Sequence, residues 1–325
     1  MSTAAISPPA LWAWACAMAA DIKLAHSVFA LPFAILATCM ALPAKIEYPT
    51  LALQFTLIIL CMFFARSWAM LVNRLLDKDF DALNPRTARR VFAAGRVSLG
   101  TGWTAAAICA GCFVFSCGLF GVLLGNYWPL ILSIPVLTLI AAYSLTKRFT
   151  WLCHIVLGIS LAIAPLAAAL AVSPEVTGFP TITLVGKSIT IGIIGGHSNP
   201  SLFLISGMVL AWVAGFDIIY ALADIDFDRE KKLHSIPAAL GWSGAVWVSR
   251  LLHLAAFILL ALAWKFEPRF GWLFGIGVVV VGALLVLEHV VLVRRGKAGL
   301  DMAFFTINGI VSCLLGALGS LDCWF

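Results

Sequence analysis

Nine apolar segments, each long enough to cross a lipid bilayer as a helix, dominate this sequence. A membrane-crossing helix needs about 20 predominantly apolar residues. The segments run approximately over 24–43, 52–76, 99–121, 127–146, 150–172, 201–223, 243–264, 271–293 and 302–320. Charged residues make up 11% of the 325 residues, whereas soluble domains carry about a quarter. We therefore predict an all-α, polytopic membrane protein with nine transmembrane helices in a single domain over residues 1–325.

Lysine and arginine are distributed unequally between alternate connections, and cytoplasmic connections of membrane proteins carry the excess. One set of connections, together with the N-terminal flank, holds 15 of these residues and the opposite set holds 4. The 15 are Lys23, Arg74, Lys78, Arg86, Arg89, Arg90, Arg96, Lys147, Arg148, Arg229, Lys231, Lys232, Arg294, Arg295 and Lys297. We therefore expect an inner (cytoplasmic) membrane protein with its N-terminus in the cytoplasm. Nearly all ionisable residues lie at the predicted cytoplasmic ends of the spans. Arg66, Arg250 and Glu288 are partial exceptions, because they fall within predicted spans.

Two segments outside the spans have a distinct composition. The run ALWAWACAMAA near the N-terminus is too short to span a bilayer, and no basic residue precedes Lys23 as a signal peptide would require. We expect residues 1–20 to form an interfacial segment. Residues 173–200 are rich in Gly, Ser, Thr and Pro, which favours a flexible extracytoplasmic loop.

Two aspartate clusters follow apolar segments at the predicted cytoplasmic side. The first is DKDFD at 77–81, and the second is DIDFD at 224–228. Helical spacing places Asn73, Asp77 and Asp81 on one face, since residues four apart lie one above the other. Asp217, Asp224 and Asp228, at i, i+7 and i+11, also share one face of a helix, with Tyr220 beside them. Asp79 and Asp226 point elsewhere, and we interpret them as residues at helix ends.

Paired carboxylates one turn apart repel each other and are costly at a membrane boundary, so a cation between them is expected. Carboxylate oxygens suit Mg²⁺, which typically takes one or two protein carboxylates and fills its other positions with water and phosphate oxygens. Basic residues that can bind phosphate surround the clusters. These are Arg86, Arg89, Arg90, Lys147, Arg148, Lys231 and Lys232. The pattern indicates a site for Mg²⁺ and a phosphorylated anion, although topology alone would explain some of the basic residues.

Longer motifs around these clusters resemble those of a known family. The stretch NRLLDKDFD, followed by ALNPRT, is similar to the first signature of the UbiA-type intramembrane prenyltransferases, N-x-x-x-D-x-x-x-D. The stretch DIIYALADIDFD is similar to their second, D-x-x-Y-A-x-x-D-x-x-x-D. The segments 23–33, 143–150 and 233–241 also look like family segments, so the resemblance runs from about residue 21 to the C-terminus.

The resemblance implies a nine-helix bundle around a central cavity, with both motifs at its cytoplasmic mouth binding a polyprenyl diphosphate through Mg²⁺. Carried over by position, the metal and diphosphate residues would be Asn73, Asp77, Asp81, Asp217, Asp224 and Asp228. Further diphosphate contacts would be Arg86, Lys147 and Arg148. Tyr220 would lie near the reacting centre, and Lys23 and His26 would lie where the first span faces the cavity.

Three positions depart from the family pattern. Ala93 stands where Pro is usual, Lys232 where Gly is common, and Ala223 where Gln often precedes the last aspartates. None of them removes a metal ligand. The departures concern loop shape and contacts to the acceptor.

The acceptor remains open within this resemblance. The motifs look most like the 4-hydroxybenzoate polyprenyltransferases of ubiquinone synthesis, and equally like the enzymes that prenylate a dihydroxynaphthoate for menaquinone. Both acceptors are aromatic acids, and Lys23 and Arg66 are candidates to hold the carboxylate. A membrane transporter of cations or solutes is the alternative from another class, because intramembrane carboxylates also mark ion pathways.

Overall fold

Long helices form almost the whole described fold. The computed structural model describes residues 17–19, 21, 24–43, 47–185, 188–192 and 198–325. Within these residues eight helices are long and apolar enough to cross a membrane, so the all-α fold class is confirmed. The helices are α1 Leu31–Met40, α2 Tyr48–Leu76, α3 Lys78–Leu83, α4 Leu99–Leu124, α5 Trp128–Thr146, α6 Cys153–Val172, α7 Pro200–Ala221, α8 Ile225–Glu230, α9 Ile236–Phe266, α10 Trp272–Arg295 and α11 Asn308–Trp324.

The first predicted span is shorter than the sequence suggested. Instead of one helix over 24–43, a 3₁₀ turn at Leu24–Phe29 precedes α1, and the apolar helix extends over Ser27–Met40. Pro32 explains the change, since proline lacks the N–H that an interior helical position needs and is favoured in a first turn. The segment predicted at 1–20 lies mostly outside the described residues.

The helix α7 occupies the centre of the bundle. Its residues are mostly apolar around the whole helix, as expected of a fully surrounded helix. Of the residues in its apolar 18-residue stretch, 72% are buried. Trp212 is the largest fully buried side chain. It meets Phe33 edge-on at 5.6 Å and Phe216 at 5.0 Å, and its Nε1 donates to Oδ1 of Asn308 at 2.5 Å. These contacts fix α7, which carries the second aspartate motif.

The loop between α6 and α7 is partly folded, contrary to the flexible insertion that its composition suggested. Strands β1 (Thr181–Val185) and β2 (Ser188–Gly192) pair antiparallel, and Thr183 faces Thr190 in the register. The Trp128 side chain fastens the loop to the bundle, since its Nε1 donates to the Pro180 carbonyl at 2.6 Å. Its ring also meets Phe179 at 4.7 Å.

The helices α6 and α7 touch through their backbones. A Cβ added at Gly158 would lie 2.5 Å from the carbonyl oxygen of Leu210. No larger residue fits there unless the helices move apart. This contact sets the distance between His154, one turn before Gly158, and the facing side of α7.

We predict that Gly158→Ala lowers the free energy of unfolding by about 1–3 kcal/mol, because overpacking forces the two helices apart. Thermal melting of the purified protein in one detergent would measure the effect. Gly111→Ala in α4 is the matched control, since a Cβ there meets nothing within 4 Å. Equal melting temperatures for the two variants would contradict the close contact.

Candidate active site

Both aspartate motifs lie where a long helix breaks. The helix α2 ends at Leu76, and the six-residue helix α3 begins at Lys78. In the same way, α7 ends at Ala221, and a 3₁₀ turn to Asp224 leads into the six-residue helix α8. The first aspartate of each motif has nearly the same backbone conformation, φ −94° and ψ 7° at Asp77 and φ −107° and ψ 8° at Asp224. The motifs therefore repeat in structure as well as in sequence.

The spacing between the carboxylates survives this break. The Asp81 N–H donates to the Asp77 carbonyl at 2.8 Å, so the two residues stay one turn apart. The faces separate as the spacing predicts: the Asp79 and Asp226 side chains are 94% and 88% exposed, whereas those of Asp81 and Asp228 are 10% and 0% exposed. Each motif thus contributes two inward carboxylates and one outward carboxylate.

The inward carboxylates line one cavity of about 280 Å³. Both motifs, the loop after α3 and the end of α5 contribute to its wall. The polar lining residues are Arg66, Asn73, Arg74, Asp77, Asp81, Asn84, Arg86, Thr87, Arg90, Tyr143, Ser144, Lys147, Arg148, His154, Asp217, Tyr220, Asp224 and Asp228. The structure therefore brings together ten of the twelve candidate residues. Lys23 lies outside the described residues, and so does the side chain of His26.

Each inward aspartate pairs with a cationic side chain. Arg90 Nη1 contacts both oxygens of Asp81 at 2.7 and 2.8 Å, and Arg148 Nη2 contacts Asp77 at 3.1 Å. Lys147 Nζ lies 2.7 Å from Asp228. Four cations therefore face four carboxylates, once the pair between Arg86 and Asp224 is included.

Arg86 joins the two motifs. Its guanidinium makes two hydrogen bonds to Asp224 from the loop that follows the first motif. The same group donates to the Tyr220 hydroxyl at 2.6 Å and lies 4.7 Å from the centre of the Tyr220 ring. Asn84 adds a hydrogen bond from Nδ2 to Asp224 at 3.1 Å. These contacts form part of the cavity wall.

The end of α5 also joins the two motifs, since Lys147 pairs with the second motif and the neighbouring Arg148 pairs with the first. Burial alone would lower the pKa of Lys147, but the nearby Asp228 carboxylate outweighs it and raises the pKa. Burial raises the pKa of Asp77, while the hydrogen bond from Arg148 opposes that rise. Lys147 is therefore a firmly charged partner for a carboxylate that is completely buried.

Several polar residues of the site were absent from the sequence candidates. Arg90 was grouped with the surrounding cations but not singled out, and Asn84 lies in the quoted ALNPRT stretch. His154 was missed because it is a lone histidine within an apolar segment. Its Nδ1 lies 2.7 Å from Oδ2 of Asp217, and its Nε2 is buried without a hydrogen-bond partner. Only the packing of α6 against α7 brings these two residues together.

A second cavity adjoins the first and is lined by apolar side chains. It measures about 440 Å³ and reaches Ile58, Phe120 and Leu170, towards the other end of the bundle. Both cavities share Arg66, Tyr143, Leu157 and Leu161 in their walls. A molecule with a polar head and a long apolar tail would fit the two together.

Comparison with known proteins agrees with this arrangement. The model of the UbiA prenyltransferase family matches residues 30–310. The chain belongs to the UbiA prenyltransferase family. The resemblance drawn from the two aspartate motifs is thereby confirmed.

Individual relatives agree with this assignment. A 4-hydroxybenzoate octaprenyltransferase from Stutzerimonas stutzeri is 30% identical over 69% of this chain, and the match spans 65% of that relative's length. An apo UbiA homolog from Aeropyrum pernix K1 is 28% identical with a TM-score of 0.75, covering 92% of this chain and 98% of its own. A UbiA homolog from Archaeoglobus fulgidus bound to DMAPP and Mg²⁺ is 16% identical with a TM-score of 0.67, and the match covers 94% of this chain and 99% of that one. This last likeness shows the fold alone.

We predict that Lys147→Met destabilises the fold by about 3 kcal/mol, because it leaves the buried Asp228 carboxylate without its cation. Lys78→Met is the control, since it breaks an exposed pair at 4.0 Å with Asp79 and should cost less than about 1 kcal/mol. Equilibrium unfolding in detergent measures both. If Lys147→Met were as mild as the control, Asp228 would not depend on Lys147 for its burial.

Proposed function

We propose that this chain transfers a polyprenyl group from a prenyl diphosphate to the ring of an aromatic acid in quinone biosynthesis, with Mg²⁺ as cofactor. The observation that carries the proposal is the joined pair of cavities, one whose wall includes four aspartates paired with four cations and the other apolar. The first candidate acceptor is 4-hydroxybenzoate, and a dihydroxynaphthoate is the alternative.

The residues present fit Mg²⁺ bound together with a diphosphate. Within the described ranges, no three His, Cys, Asp or Glu residues are grouped so that they could hold a metal ion alone. Paired carboxylates suit Mg²⁺, which keeps several positions for water and phosphate oxygens. The holding residues would be Asp77 and Asp81 from one motif, Asp224 and Asp228 from the other, and Asn73. When bound, Mg²⁺ supplies neutralisation of the charge that develops on the leaving diphosphate.

The cations of the site would change partners when substrate binds. Arg86, Lys147 and Arg148 now hold carboxylates. Once those carboxylates hold a metal ion, the same side chains can turn to the diphosphate oxygens. Arginine offers a bidentate contact to phosphate and lysine a point charge. These three cations would thus have an anionic partner both with and without substrate.

The apolar cavity would take the prenyl chain. Its wall offers side chains such as Ile58, Phe120 and Leu170, which exclude water from the allylic carbon. Cleavage of the C–O bond leaves its electron pair on the diphosphate and gives that carbon cation character. Water would destroy this carbon before the acceptor ring attacks it and loses the ring proton it replaces. The enclosed cavity therefore protects the transfer.

The aromatic acid would lie where the two cavities meet. Arg66 lines both cavities, and its Nε is buried without a hydrogen-bond partner. It is positioned to bind the acceptor carboxylate, while Lys23 is the second candidate named from the sequence. Tyr220 would face the reacting ring. Asp217, which the resemblance groups with the metal and diphosphate residues, is held by His154 at 2.7 Å. In this proposal it binds the acceptor hydroxyl instead, which makes the ring a better nucleophile.

Membranes that contain the protein test the proposal directly. They would receive Mg²⁺, a polyprenyl diphosphate and either 4-hydroxybenzoate or 1,4-dihydroxy-6-naphthoate, and prenylated product would be detected by mass. Product from one acceptor, lost with EDTA, is the expected result. With folded protein and several chain lengths, failure of both acceptors and of a broader panel of aromatic acids would rule the proposal out.

We expect Asp77→Asn to abolish turnover, because it removes a proposed metal ligand from the cavity. Asp79→Asn is the matched control two residues away, and its 94% exposed side chain should be dispensable. Rates of product formation at equal amounts of folded protein provide the comparison. A loss in Asp79→Asn equal to that in Asp77→Asn would contradict the assignment of faces.

We expect Arg66→Gln to raise the KM for the aromatic acid about 10- to 100-fold, since a hydrogen bond between charged groups is lost. The KM for the prenyl diphosphate should stay nearly constant, which serves as the internal control. Arg66→Lys should recover part of the affinity because it retains the charge. Equal changes in both KM values would show that Arg66 does not contact the acceptor carboxylate.

A further inference from the structure

A third cavity lies outside the proposed active site, between α9 and α10. It measures about 840 Å³, and all of its lining residues belong to these two helices. We call it the α9–α10 groove. Its wall includes Arg250, His253 and Leu254 of α9 and Val286, His289 and Arg294 of α10. Its apolar walls face outwards, since Leu254 is 55% and Val286 is 65% exposed. In a bundle of membrane-spanning helices, such a surface meets lipid.

The groove carries positive charge that the described part of the protein does not neutralise. Within residues 24–43, 47–185, 188–192 and 198–325, no carboxylate lies within 4.0 Å of the Arg250 or Arg294 guanidinium. Four cations of the proposed active site, in contrast, each pair with an aspartate. The Arg250 guanidinium lies over the Trp247 ring at 4.8 Å. An arginine within a membrane span is costly and normally has a partner.

The nearby carboxylate, Glu288, does not serve as that partner. It is fully buried behind the groove, where Asn308 Nδ2 donates to its Oε1 at 2.9 Å. Its Oε2 lies 3.5 Å from Nδ1 of His253, which in turn is 3.1 Å from Nε2 of His289. The two histidines therefore stand between Glu288 and the groove. The arginines remain available to an anion from outside.

The groove is long enough to hold an acyl chain of one leaflet of a bilayer. Arg294 lies in the last turn of α10, at the same end of the bundle as the aspartate motifs. Val279, at the far end of the groove, lies 15 residues earlier in the same helix, which corresponds to about 22 Å at 1.5 Å per residue. Half of a typical hydrocarbon core is about 15 Å thick. An acyl chain can therefore lie along the groove while its head group stays near the arginines.

We propose that the α9–α10 groove binds an anionic phospholipid from the leaflet on the side of the aspartate motifs. Its phosphate pairs with Arg250 and Arg294, and one acyl chain packs between Leu254 and Val286. The lipid supplies the negative charge that the described protein residues leave out. This site is separate from the two cavities of the proposed reaction and does not depend on that reaction.

Native mass spectrometry of the detergent-purified protein tests this proposal, with phosphatidylglycerol and phosphatidylcholine of identical acyl chains as probes. The wild type should bind phosphatidylglycerol in preference to phosphatidylcholine. The double variant Arg250→Gln/Arg294→Gln should reduce that preference at least about fivefold, as expected for the loss of arginines near anionic lipid. Arg295→Gln/Lys297→Gln is the control for charge, because it removes two positive charges at or just after the end of α10 that do not line the groove. It breaks only one ion pair in the described structure, the exposed contact of Lys297 with Asp226 at 3.6 Å.

The outcomes separate specific binding from bulk attraction. A preference that survives the control but is lost in the groove variant supports the site. No preference in the wild type, or equal losses in the two double variants, overturns it. If the groove variant fails to fold, Val286→Trp decides, since it fills the groove without changing charge. Loss of bound phosphatidylglycerol in Val286→Trp supports the proposal, and unchanged binding overturns it.

Discussion

The pairing of four aspartates with four cations is the interaction on which the site depends. Carboxylates next to a membrane interior are costly unless a cation compensates them. Here Asp77, Asp81, Asp224 and Asp228 each have one. The partners come from the loop after α3 and from the end of α5, so the pairs tie together segments that are distant in the sequence. Ion pairs therefore stabilise the polar end of the bundle, while apolar packing stabilises its centre.

The same pairing suits the proposed reaction. A site in which four carboxylates and four cations pair with each other can accept a metal ion and a diphosphate anion together, because the metal ion replaces the cations beside the carboxylates and the diphosphate replaces the carboxylates beside the cations. A metal ion alone would leave the displaced cations without a partner, and a diphosphate alone would leave the carboxylates without one. In the proposed mechanism the two ligands therefore support each other's binding. The apolar cavity adjoining the site would then hold the prenyl chain while the acceptor ring replaces the diphosphate.

Much of this arrangement could be predicted from the sequence, because hydropathy and helical spacing are local properties. Segment lengths predicted the long helices, and four-residue spacing separated Asp77 and Asp81 from the exposed Asp79. Other features depend on tertiary packing. The pairing of Arg86 with Asp224 joins residues 138 positions apart, and the contact of His154 with Asp217 requires the close approach of α6 and α7 at Gly158. The short α1 follows from Pro32. The effect of a proline on a helix is local and visible in the sequence, but the apolar composition on both sides of Pro32 favoured the prediction of one continuous span.

Binding of geranyl diphosphate to the purified protein, titrated with and without Mg²⁺, tests the central claim that carboxylates, metal ion and diphosphate assemble as one charge-balanced unit. We predict saturable binding in Mg²⁺ that weakens at least about tenfold in EDTA, which corresponds to about 1.4 kcal/mol. The Asp224→Asn variant should lose most of this metal dependence. Equal affinity of the wild type with Mg²⁺ and with EDTA would contradict the account, because the diphosphate would then bind without a metal ion held by the carboxylates.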